Sequence, residues 1–73
     1  MSYEIRATKV CSNLLNVGLA MYMGGDYRLL LRRYRNNERK GSVTYKIYDG
    51  LVNATRKEVD LRIQQVADLV VGP

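Results

Sequence analysis

The chain has 73 residues, 12 Lys and Arg against 7 Asp and Glu, a single Cys and no His, Trp or Phe. Without His it lacks the usual general base and any Ser-His-Asp or Cys-His pairing, and one Cys supports neither an internal disulfide nor, without His, a zinc site. The length suits one domain, residues 1–73, and a hydrophobic share of 47% with 26% charged residues is that of a folded chain rather than a disordered one.

In chain order, Met1-Ser2-Tyr3-Glu4 has neither the basic nor the apolar stretch of a signal peptide, and Leu14 to Met23 is too short to cross a bilayer. A cytoplasmic protein with a reduced Cys11 and no membrane association is therefore expected. Tyr3 to Ala7 alternates in part and reads as a short strand. Residues 8–23 fit two readings. As a helix, Val10, Leu14, Val17 and Met21 line one face and Gly24-Gly25 stops it. As a strand, Leu15, Val17, Leu19, Met21 and Met23 alternate; the helical match is longer, but Ser12, Asn13, Asn16 and Gly18 are weak helix formers.

Asp26 to Arg35 and Ser42 to Tyr48, rich in Leu, Tyr and β-branched residues, flank the polar run 36–41 and read as a basic β-hairpin over about 26–48, ended by Asp49-Gly50. Thr55-Arg56-Lys57-Glu58 has the form of a capping box. Val59, Ile63, Val66 and Val70 follow at helical spacing, predicting an amphipathic helix over about 55–70, with Leu61 on its polar side and Gly72-Pro73 at its end. The expected class is α+β: a small antiparallel sheet containing the hairpin, packed by the C-terminal helix and by an N-terminal helix over about 8–23 if that segment is helical.

Charge is concentrated in one place. Residues 28–46 hold seven basic side chains against Glu38, a net +6, whereas 1–27 are neutral and 47–73 carry −1. The block Arg32-Arg33-Tyr34-Arg35, with Arg39-Lys40 beyond it, interleaves guanidinium groups with an aromatic ring, a pattern suited to phosphates and to stacking. The bland alternative is a solvated strand face that deters edge pairing. Arg28, Arg32, Arg33, Tyr34, Arg35, Arg39, Lys40 and Lys46 are the candidate partner-binding residues. The carboxylates are scattered, Cys11 has no activating partner, and Lys40-Gly41-Ser42 lacks the upstream glycine of a phosphate loop; no catalytic residue, metal or cofactor is expected.

A basic chain of this length, beginning at Met1 and without a catalytic constellation, resembles the small host-takeover proteins of bacteriophages. Most specifically it is similar to the small RNA-polymerase-binding transcription regulators of Xanthomonas phages. The resemblance rests on length, the 28–46 segment and the missing active site. It implies a protein that binds host RNA polymerase beside the RNA exit channel, blocks initiation at host promoters and lets elongation pass terminators; a non-catalytic monomer is expected. A module that grips DNA or RNA phosphates directly through the same arginines is the alternative.

Overall fold

Three of the helix starts in this chain are written as short polar side chains. In the computed structural model, which describes residues 3–72 and the side chains of 8–70, Thr55 Oγ1 accepts from the Glu58 backbone N–H at 3.2 Å and opens α4, Arg56–Val71. Asp26 accepts from the Leu29 N–H at 3.1 Å and opens α2, Tyr27–Asn36. Ser42 accepts from the Tyr45 N–H at 3.1 Å and opens α3, Val43–Val52. Each satisfies one donor that a helix start leaves without an internal partner, an effect worth about 1 kcal/mol. The first helix, α1, runs over Tyr3–Tyr22.

The protein is therefore four helices, with no strand among the described residues, and the α+β expectation is overturned. The segment read as a β-hairpin over 26–48 is instead the helical pair α2 and α3, joined by a turn at 37–42 in which Gly41 takes φ 86°. Its apolar residues satisfy the helical period as well as the alternating one: Tyr27, Leu31 and Tyr34 stand at i, i+4 and i+7, and Tyr48, Leu51 and Val52 at i, i+3 and i+4. A short run rich in Leu and Tyr does not separate the two periods, and packing decides between them. Asp49-Gly50 lies inside α3 rather than ending a strand, and Tyr3 to Ala7 is the first part of α1 rather than a strand of its own. The helical alternative for 8–23 holds, with α1 extending further toward the N-terminus. Met1, Ser2 and Pro73 lie outside the described residues.

The packed pairs are α2 with α3, α1 with α4, and α1 with α2. Leu14, Val17 and Met21 of α1 meet Tyr27 and Leu31 of α2, Tyr48, Leu51 and Val52 of α3, and Val59 and Ile63 of α4 in one buried cluster. Full burial of an aliphatic side chain of this size contributes about 1.5–3 kcal/mol. At Gly18 the helices α1 and α4 approach closely, since a Cβ there would stand 2.8 Å from Cγ2 of Ile63. In α1 and α4 the predicted stripes supply Leu14, Val17, Met21, Val59 and Ile63 to the core, while Val10 and Val66 are half-buried and Val70 is 57% exposed.

The extents are 32 × 30 × 16 Å. Leu19, Tyr22, Met23, Val43, Ile47 and Leu69 are exposed. No helix among the described residues is long and apolar enough to cross a membrane.

Candidate functional site

The basic segment is split by the helical fold into side chains that hold the fold together and side chains that face outward. Arg28 belongs to the first group. It donates to the carbonyls of Val52 and Ala54 at 3.0 and 3.1 Å and so caps the end of α3, where helical carbonyls have no internal partner. Arg56, the first residue of α4, does the same for α1 by donating to the Met21 carbonyl at 3.1 Å. Both guanidinium groups lie 5.6 Å from the centre of the Tyr27 ring, so this buried tyrosine is in cation–π range of two caps at once.

Arg35 also points into the α2–α3 seam, pairing with Asp49 at 3.0 Å and lying 5.8 Å from the Tyr45 ring centre. Tyr34 is half-buried, its ring centre 5.8 Å from that of Tyr48 and its hydroxyl 3.5 Å from the Asn16 amide that donates to it. Both helical partners of the seam thus consume residues that sequence pattern alone assigns to docking.

Arg32, Arg33, Arg39, Lys40 and Lys46 remain exposed, and among the described residues none of them forms an ion pair. Arg32 and Arg33 sit on the outer face of α2, Arg33 in its last turn, where a cation is favoured by the helix dipole. Lys46 lies apart from them, on the edge of a groove between α3 and α4. Arg39 and Lys40 line a cleft of about 610 Å³ together with Glu38, Gly41, Ser42 and Thr44. The opposite side of that cleft is Lys9 and Val10 of α1.

Lys9 is the residue that sequence reasoning missed. It lies 30 positions before Arg39 in a segment with no net charge, and only the packing of α1 beside the α2–α3 turn brings it there. The result is a cleft with three cations against one carboxylate, Glu38, and two hydroxyl groups at its edge. Such an arrangement attracts carboxylate or phosphate and weakens with salt.

No known family, curated protein or solved structure matches the chain. Among the described residues, no group of three or more His, Cys, Asp or Glu side chains could hold a metal ion. Cys11 is half-buried on α1.

Proposed function

We propose that the protein is a small non-catalytic regulator that binds host RNA polymerase in the host cytoplasm as a monomer, through the cleft of Lys9, Arg39 and Lys40. The observation supporting this reading is the convergence of Lys9 with Arg39 and Lys40 in one cleft, with Arg32 and Arg33 exposed on α2, while the remaining arginines of the segment are engaged internally. Three cations gathered in one cleft suit an acidic protein surface near nucleic acid. A wedge docked there alters initiation or termination by steric exclusion or by shifting conformational populations, without chemistry of its own.

The experiment is capture of purified host polymerase by the immobilised chain, paired with initiation and terminator read-through assays in vitro. The triple variant Lys9→Ala, Arg39→Ala, Lys40→Ala should fold normally by circular dichroism and lose polymerase capture and both transcriptional effects. Retained capture by the triple variant overturns the site. Tight binding of free DNA or RNA, falling by about 0.7–0.9 log units per log unit of salt for each neutralised phosphate, together with no polymerase capture, would replace this reading with direct nucleic-acid binding.

A further inference from the structure

Helices α3 and α4 follow one another in the chain, yet they are not among the closely packed pairs. Between them lies an open groove of about 530 Å³. Its floor is Leu14 of α1. One wall is a helical stripe of α3, formed by Ile47, Gly50 and Leu51, and the other is a stripe of α4 that includes Arg62, Val66 and Leu69. Ile47 and Leu69 are 42% and 79% exposed, so the lips of the groove are apolar as well.

Gly50 has no explanation inside the protein. Glycine in a helix interior is unfavourable because it has the most conformational freedom to lose. Gly24, Gly41 and Gly72 take positive φ, and at Gly18 and Gly25 a Cβ would crowd a neighbour. At Gly50 the backbone is helical and a Cβ would meet nothing within 4 Å. A helical glycine that leaves bare backbone on the wall of an open groove admits something from outside at close range.

The charges at the rim say what kind of thing. Glu58 on the α4 wall accepts from the Thr55 hydroxyl at 3.1 Å and keeps its negative charge. Lys46 on one wall and Arg62 on the other have no carboxylate among the described residues; Arg62 reaches only the Gln65 side-chain oxygen on its own helix at 3.4 Å. The rim thus carries two cations against one carboxylate, with Lys46 on one side of an apolar trough and Glu58 and Arg62, one turn apart, on the other.

We propose that the α3–α4 groove binds an amphipathic helix of a protein partner, with an apolar stripe seated over Leu14 and Leu51, a close backbone crossing at Gly50, and acidic residues on both flanks facing Lys46 and Arg62. Apolar anchors at helical spacing supply the affinity, and the two cations set orientation and exclude basic-flanked helices. The groove is separate from the cleft at Lys9, and the proposal does not require that the cleft bind polymerase.

The test is a selection of helical peptides of about 16 residues, randomised on their surface, against the full chain, followed by titration calorimetry of the winners. Winners should carry an apolar stripe at three- and four-residue spacing with Asp or Glu on each side. Their affinity should fall about tenfold or more for Gly50→Leu and for the double variant Lys46→Glu, Arg62→Glu. Gly50→Leu should melt no lower than the wild type, which separates a blocked groove from a damaged fold. The triple variant at Lys9, Arg39 and Lys40 should bind the peptides unchanged, which separates this groove from the cationic cleft. The proposal is overturned by a selection without winners, by winners with basic flanks, or by winners indifferent to Gly50→Leu. A chain that dimerises in sedimentation until Gly50 is replaced would also overturn it, by placing a second copy in the groove.

Discussion

The side-chain amide of Asn13 on α1 donates to the hydroxyl of Tyr48 on α3 at 3.0 Å. Tyr48 is fully buried, and this bond satisfies its one polar atom while tying together two helices that touch little elsewhere. A buried hydroxyl without a partner costs about 1–3 kcal/mol. Asn13→Ala should therefore lower the unfolding free energy by about that amount in urea titration, and Tyr48→Phe, which removes the group that needs a partner, should be the milder change.

Burial raises the Tyr48 phenol above its ordinary value of 10.0, with the Asn13 hydrogen bond opposing that shift in part. The folded chain then holds the phenolic proton more tightly than the unfolded chain. The stabilisation is fully present below pH 10.0 and is lost as pH rises above it toward the folded-state value. Urea unfolding at several alkaline pH values should show stability falling there, and the fall should be shallower in Tyr48→Phe.

Arg28 and Arg32 are one helical turn apart on α2, but only Arg28 reaches the α3 carbonyls. Arg28→Ala leaves those carbonyls uncapped and removes a cation from Tyr27, and should cost about 1–2 kcal/mol. Arg32→Ala should change stability by no more than about 0.5 kcal/mol, as exposed substitutions do. Paired denaturation curves check both, and equal losses would show that the division between structural and outward arginines is wrong.

Gly18 and Gly50 should respond to alanine in opposite directions. At Gly18 the added methyl meets Ile63, a stiff β-branched side chain in the core, and the overpacking should cost about 1–3 kcal/mol. At Gly50 the space is open, so the gain in helix propensity should add about 0.5–1 kcal/mol. Thermal melts of the two single variants measure the contrast.

The last helix was readable because it repeats its apolar period over several turns, and the first only in part, because its apolar residues also fit an alternating strand. Val10, Leu14, Val17 and Met21 mark α1, and Thr55 with Val59, Ile63 and Val66 marks α4. The two helices of ten residues were not, since Tyr27, Leu29 and Leu31 alternate as a strand does while Tyr27, Leu31 and Tyr34 repeat as a helix does. The signal that separates them was present in Asp26 and Ser42, each three residues before the amide it caps. Of the candidate site, the cationic character of 28–46 was legible and its division was not. Nothing local to Arg28, Arg35 or Tyr34 reveals that the Val52 carbonyl, Asp49 and Tyr48 stand opposite them.

By itself, the sequence determined the absence of His, the segment that holds the excess charge, and the apolar stripe of α4. These depend on residue identity and on spacing within a few turns. Only tertiary structure decided that 26–48 is helical, because an isolated helix of ten residues is marginal in water until its apolar face is buried. The same packing withdrew Arg28 and Arg35 from the surface, brought Lys9 to Arg39 and Lys40, and left a groove at Gly50, since each of these depends on which backbone another helix places alongside.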